Sequence, residues 1–320
     1  MDGGSRHPQD PGGRGRRVTS RSSAVAPPVA ASSSHARSAD YVTLTKPRLN
    51  LLVLITTLGG IYLAAPDGVP LVLVAHTMLG TALVAGGAAA LNQAWERETD
   101  SRMRRTSTRP IPTGRLGVGE GTVFGAGLAA VGLAELALAV NAMAAVVALA
   151  TLLSYVALYT PLKRRTSLAT LVGGIPGALP PVIGWAAATG QVTLPALVLF
   201  GIVFFWQMPH FLAIAWLYRD DYAEAGIPLL PVLEPDGRRT GRQALVYAAG
   251  LWPVSLLPVF VGLAGATYGA VATVLGFAFI ALAAAFAGDR SAQTARRLFL
   301  FSIAYLPLLW GALVADRLWL

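Results

Sequence analysis

From Leu49 onward the chain is a succession of apolar runs, each about long enough to cross a bilayer core of roughly 30 Å as a helix. The runs cover residues 49–65, 72–95, 118–138, 142–161, 168–187, 193–217, 243–263, 266–287 and 298–316, which predicts nine membrane helices. The stretch 118–161 needs a break near Asn141, because one helix of that length would be about twice the bilayer core. A second break falls at Gly262–Gly265 for the same reason. Residues 1–40 contain no such run and are mostly Gly, Pro, Ser, Ala and Arg, the composition of a disordered tail. The expected organisation is therefore a cytoplasmic tail, 1–40, and a transmembrane domain, 41–320. Val25–Ala31 is too short and too broken by proline for the core of a cleaved signal peptide.

Composition agrees with the pattern. Hydrophobic residues make up 54% of the chain and charged ones only 13%, with a mean hydropathy of +0.58. A soluble protein of this size has nowhere to hide so much apolar surface. A cytosolic enzyme, a secreted disulfide scaffold and a soluble nucleic-acid binder are excluded, so nucleic acid is not expected as a partner. The absence of cysteine removes thiolate and disulfide chemistry.

The net charge of +9 has a positional explanation. With the N-terminus inside, the segments 1–48, 96–117, 162–167, 218–242 and 288–297 hold 24 of the 25 Lys and Arg residues, and only Arg317 lies elsewhere. This is the positive-inside pattern, and it puts the loops that carry the polar clusters in the cytoplasm. Gly and Ala are abundant within the spans, which favours close helix packing. Pro176, Pro180 and Pro181 interrupt the fifth span, either as a simple kink or where backbone lines a cavity.

Chemistry-bearing groups gather at that same end. Asn92, Glu96 and Asp100 recur every fourth residue, which places them on one face if the helix continues. Such an oxygen-rich set suits Mg²⁺ shared with substrate phosphates. Ordinary surface acids paired with Arg97, Arg102, Arg104, Arg105, Arg109 and Arg115 are the competing reading. After span six come Trp206-Gln207-Met208-Pro209-His210-Phe211 and then Tyr218-Arg219-Asp220-Asp221-Tyr222. Asp220 and Asp221 can reach a metal from a helix end, and Arg219 can pair with phosphate oxygens. Gln207 and His210 lie near hydrocarbon depth, where polar groups usually face the bundle interior. His210 is either a structural histidine or a pocket residue. His76 has no comparable neighbours in the sequence and reads as structural. Lys46, Lys163 and Arg164 serve topology first and phosphate contact second.

The motifs together resemble the UbiA superfamily of intramembrane prenyltransferases, and within it the heme-farnesylating branch. The resemblance spans residues 42–318. It rests on Thr45-Lys46-Pro47-Arg48, on Asn92-x-x-x-Glu96-x-x-x-Asp100 with Arg109-Pro110-Ile111-Pro112-x-Gly114-Arg115, and on Tyr159-Thr160-x-x-Lys163-Arg164-Arg165. Gly177-Ala178-x-Pro180-Pro181 and the Trp206–Phe211 and Tyr218–Tyr222 runs narrow it to the heme branch. Glu96 stands where the superfamily more often has Asp. Tyr218 and Tyr222 replace acids found in aromatic-acid prenyltransferases.

The resemblance implies an all-α bundle in the inner, cytoplasmic membrane. The reaction it implies joins farnesyl diphosphate and heme b, with water, into heme O, and heme b is substrate rather than redox cofactor. Mg²⁺ would be held by Asn92, Glu96, Asp100 and Asp221, with Asp220 as a further ligand. Lys46 and Arg219 rank first as diphosphate clamps, followed by Arg109, Lys163 and Arg164. His210, Gln207 and Trp206 would belong to the heme pocket, with His210 facing iron, a propionate or the reacting vinyl group. The lipid bilayer is the medium, and heme A synthase is a candidate partner. Prenylation of a quinone precursor or chlorophyll-like ring, a transporter and a purely structural subunit are the rivals. A transporter should concentrate polar groups near midplane.

Overall fold

A computed structural model describes residue 1, residues 34–65 and residues 67–318. Among these, nine helices are long and apolar enough to span a membrane. The spans are α2 (Pro47–Ala64), α3 (Leu71–Trp95), α5 (Val118–Val140), α6 (Ala142–Leu162), α7 (Ala169–Thr189), α8 (Leu194–Leu217), α11 (Arg238–Phe260), α12 (Ala266–Asp289) and α13 (Ala292–Arg317). Four short helices lie at the ends of spans: α1 (Ser34–Leu44), α4 (Arg97–Arg102), α9 (Arg219–Glu224) and α10 (Leu230–Leu233). The expected tail is thus helical over its last seven residues, because α1 begins at Ser34. The tail from residue 2 to 33 lies outside the described residues.

Consecutive spans pack side by side, and α13 returns to α2, closing a ring. α7 and α8 are the most enclosed spans. The outward faces carry apolar side chains such as Val123, Leu138 and Val274, as a lipid-facing surface requires. The break at Asn141 occurs as expected and has a clear cause. Its backbone is extended and its side chain caps α6 by accepting from the Ala144 backbone N–H at 2.9 Å. Its amide also donates to the carbonyls of Ala186 and Ala187, tying the turn to α7. Gly262, at φ +73°, makes the turn after α11.

The helices approach closely where glycines meet backbone. A Cβ on Gly184 would sit 1.9 Å from the Thr57 carbonyl oxygen, and one on Gly60 would sit 2.1 Å from that of Pro181. α2 and α7 therefore touch backbone to backbone, the contact that small residues permit in membranes. α7 is interrupted at Leu179, immediately before Pro180, since proline removes a helical donor and clashes with the preceding turn.

Two features differ from the sequence reading. α11 and α13 begin well before their apolar runs and include Arg238, Arg239, Arg242, Arg296 and Arg297 as solvated first turns. His76 is not without neighbours. Its Nδ1 lies 2.6 Å from Glu135 Oε1 across the α3–α5 contact.

Candidate active site

The acid-bearing segment is almost, but not wholly, one helix. α3 ends at Trp95, and Glu96 turns the chain at φ −85°, ψ 5° before α4. The i→i+4 backbone bonds from Glu96 to Asn92 and from Asp100 to Glu96 persist at 2.9 and 2.8 Å. The three side chains remain stacked on successive turns, and all three residues are buried.

Each is met by a cation from a different part of the chain. Lys46 Nζ donates to Asn92 Oδ1 at 3.1 Å. Lys163 Nζ donates to both Glu96 carboxylate oxygens at 3.0 Å. Arg109 donates to Asp100 Oδ2 at 2.6 Å. Three buried polar groups and three cations thus share one end of the bundle. The ion pairs make burial of Glu96 and Asp100 tolerable, since an unpaired charge there would be costly, whereas Lys46 faces a neutral amide and leaves one positive charge in excess.

Local structure explains how the cations arrive. Lys46 lies between α1 and α2 in the left-handed region, at φ 49°. That conformation is unfavourable for a side-chain-bearing residue by about 1–2 kcal/mol, and such strain is often found at functional sites. Lys163 follows a π-helical segment, Ser154–Tyr159, in α6. The extra residue in that turn brings Thr160 beneath Asn92, whose amide donates to Thr160 Oγ1 at 3.1 Å. Arg109 sits in the proline-stiffened loop that Arg115 knits together. Arg115 donates to both Asp40 oxygens at 3.0 and 3.1 Å and to the Thr108 carbonyl at 3.1 Å.

The electrostatics follow this geometry. Burial, with repulsion from Arg109, lowers the Lys46 ammonium to about 8 despite attraction from Glu96. Burial also opposes charge on Lys163, but the nearby Tyr159 and Glu96 oxygens outweigh it and raise that group.

The second cluster lies alongside. Met103 packs with Tyr222, Ala225 and Ile227, and the Arg105 guanidinium lies 5.9 Å over the Tyr218 ring. A groove of about 440 Å³ is lined by Arg104, Arg105, Leu217, Tyr218, Asp220 and Asp221. The two acidic segments therefore meet at the same end of the bundle. Arg219, ranked with Lys46 in the sequence reading, is occupied otherwise. It donates to the Trp216 carbonyl at 3.0 Å and covers the Trp216 ring at 4.6 Å. Asp220 is 92% exposed and only 4.0 Å from Arg219. Arg164 is exposed and pairs loosely with Glu98 at 3.6 Å.

No group of three His, Cys, Asp or Glu side chains gathers to hold a metal among the described residues. The donor set nevertheless suits Mg²⁺. It is all oxygen, buried and stacked, with two carboxylates and an amide. Mg²⁺ commonly takes one or two carboxylates and completes its shell with water and substrate phosphate.

His210, Gln207 and Trp206 lie deeper on α8. Gln207 donates to the Gly174 carbonyl at 2.6 Å. Trp206 donates from Nε1 to the Ser302 carbonyl at 2.7 Å. His210 Nδ1 lies 2.7 Å from Ser302 Oγ, and its ring stacks on Trp206 with centroids 5.2 Å apart. Sequence reasoning assigns no part to Thr160, Ser302 or Asp40, and none to Arg115 as a strap. The Thr-Pro step at 160–161 inside an apolar run is one signal that points to the first of them.

The UbiA prenyltransferase family model matches residues 53–306. The protoheme IX farnesyltransferase of Solibacter usitatus is 46% identical over 287 residues, covering 87% of this chain and 98% of that protein. The one from Myxococcus xanthus is 47% identical over 279 residues, covering 87% and 94%. Among solved structures, a digeranylgeranylglyceryl phosphate synthase superimposes with a TM-score of 0.77 at 17% identity, over 89% of this chain and all of that one. A UbiA homologue from Archaeoglobus fulgidus bound to GPP and Mg²⁺ gives 0.62 at 18% identity, over 86% and 99%. With the family model matched along most of its length and relatives this similar end to end, the chain belongs to the UbiA prenyltransferase family, in its protoheme IX farnesyltransferase branch.

Proposed function

We propose that this protein transfers the farnesyl group of farnesyl diphosphate to a vinyl group of protoheme IX, with addition of water, to give heme O and diphosphate. The single observation that carries the site assignment is the buried stack of Asn92, Glu96 and Asp100, each met by its own cation. The chemical identity of the substrates rests on the relatives.

In the reaction the allylic C–O bond breaks and its electron pair leaves with diphosphate. The vinyl π electrons form the new C–C bond. Water adds through oxygen to the neighbouring carbon and releases a proton. When bound, Mg²⁺ supplies neutralisation of the charge that develops on the leaving diphosphate. Asn92, Glu96 and Asp100 are the residues that would hold it, with Asp221 contributing from the adjoining groove. Lys46, Lys163 and Arg109 then exchange their carboxylate and amide partners for phosphate oxygens. Arg164 and Asp220 take outer positions at the mouth. Arg219 serves there only after leaving Trp216.

The apolar bundle receives the isoprenoid chain from the bilayer and keeps bulk water from the allylic centre. Tyr155 and Tyr159, stacked with centroids 5.5 Å apart, present aromatic faces suited to cationic character. His210, Gln207 and Trp206 face the heme. The density of arginine on the loops at this end supports a cytoplasmic active site in the cell's inner membrane, from which heme O passes to a heme A synthase.

The test is incubation of the purified protein in detergent with Mg²⁺, farnesyl diphosphate and heme b, followed by mass spectrometry of the pigments. Heme O is the expected product, and its formation should cease with a chelator. Unchanged heme b under all conditions would refute the assignment.

A further inference from the structure

The proton inventory around Ser302 fixes the chemistry of His210. Ser302 has one hydroxyl proton, and its Oγ lies 2.6 Å from the Phe299 carbonyl oxygen one turn back in α13. A carbonyl only accepts, so Ser302 donates there. The same oxygen lies 2.7 Å from His210 Nδ1. With its proton already committed, Ser302 accepts, and Nδ1 of His210 carries the hydrogen. A neutral His210 then has an unprotonated Nε2 with its lone pair free, and no hydrogen bond reaches that nitrogen among the described residues.

This is the preparation that metal-binding histidines usually show, one ring nitrogen held by an oxygen acceptor and the other directed at the metal. The surroundings suit a porphyrin. Trp206, Phe211 and Phe299 have ring centroids 5.2, 5.7 and 5.1 Å from the imidazole, and His210 itself is only partly enclosed. The residue lies seven positions from the Leu217 end of α8, roughly 10 Å along the helix axis. At that depth an unpartnered polar nitrogen is disfavoured unless something in the pocket engages it.

We infer that His210 Nε2 is the axial ligand to the iron of the bound protoheme substrate, and that Ser302 is the positioning residue that holds it in the coordinating tautomer. The inference rests on the heme farnesylation reading and deepens it. Ligation would pin the tetrapyrrole by its centre while leaving a peripheral vinyl group free to react.

The test uses the full-length protein in detergent titrated with heme b, monitored by absorption and by resonance Raman of the ferrous complex. Protein grown with histidine carrying the heavy nitrogen isotope should shift an iron–nitrogen mode. His210→Gly should lose that mode, and added imidazole should restore the wild-type spectrum. Ser302→Ala should keep the protein folded but weaken heme binding about tenfold, the lower range for loss of a ligand's hydrogen-bond partner, with farnesyl diphosphate binding unchanged. A wild-type complex without an isotope-sensitive mode overturns the inference, whatever the variants do. So does a His210→Gly spectrum identical to wild type. Product analysis on the same samples separates the two readings. The histidine-dependent spectrum without heme O would defeat farnesylation and spare ligation, and heme O with an unchanged variant spectrum would do the reverse.

Discussion

The Thr160 hydroxyl sets the orientation of the Asn92 amide. Its proton goes to the Tyr155 carbonyl at 2.8 Å, so its lone pair receives the Asn92 Nδ2 hydrogen at 3.1 Å. The Asn92 oxygen is therefore the atom turned toward Lys46. Thr160→Val, close in shape, should lower kcat/KM for farnesyl diphosphate about tenfold, since removing such a supporting bond typically costs 10–100-fold. Thr160→Ser should restore most of it. A valine variant with an unchanged Mg²⁺ requirement and KM would show that the amide needs no such anchor.

The loop bearing Arg109 is fastened to α1 through Arg115 and Asp40. Asp40→Asn should raise the KM for farnesyl diphosphate several-fold while leaving heme binding as it was. The neighbouring contact of Arg37 with Glu120 is exposed on the arginine side, and exposed pairs contribute little. Arg37→Ala should therefore be close to neutral. Parallel kinetic titrations of the two substrates would separate these outcomes.

Backbone contact between α2 and α7 predicts an intolerance to added volume. Gly184→Ala should destabilise the protein by about 1–3 kcal/mol or more, the usual cost of overpacking. At Gly311, in α13, a Cβ would meet open space, with nothing within 4 Å, and Gly311→Ala should be neutral or slightly stabilising. Thermal unfolding in detergent gives the comparison directly.

The pairing of Lys163 with Glu96 makes single and double replacements diverge. Lys163→Met leaves a carboxylate buried without its counter-charge, a loss of about 3–5 kcal/mol when a buried pair is broken. Adding Glu96→Gln should recover part of that stability while activity stays low. Equal melting temperatures for the single and double variants would show that the two groups are not coupled.

Much of the fold is legible in the sequence because spanning helices announce themselves by length. The breaks at Asn141 and Gly262 follow from the same arithmetic, and spacing alone stacks Asn92, Glu96 and Asp100. The turn at Glu96 is not visible there, since one residue with ψ near zero leaves no trace in composition. Long-range partners are less accessible still. His210 and Ser302 are 92 residues apart, Asn92 and Thr160 are 68, and His76 and Glu135 are 59. A lone serine in an apolar helix looks the same whether it bonds only its own backbone or also a distant imidazole. The surroundings of Arg219 are hidden for a related reason. Its charge is plain, but the ring of Trp216 that holds it is a matter of packing.

The cations around Asn92, Glu96 and Asp100 have a consequence for how an ionic substrate enters a greasy enclosure. Lys163 and Arg109 are each cancelled by a carboxylate, while Lys46 faces only a neutral amide, so one positive charge is left over before any ligand arrives. That surplus favours admission of a pyrophosphate headgroup, and the two cancelled pairs can then trade partners with it. The barrier to admission should accordingly lie more in rearranging side chains than in burying new charge.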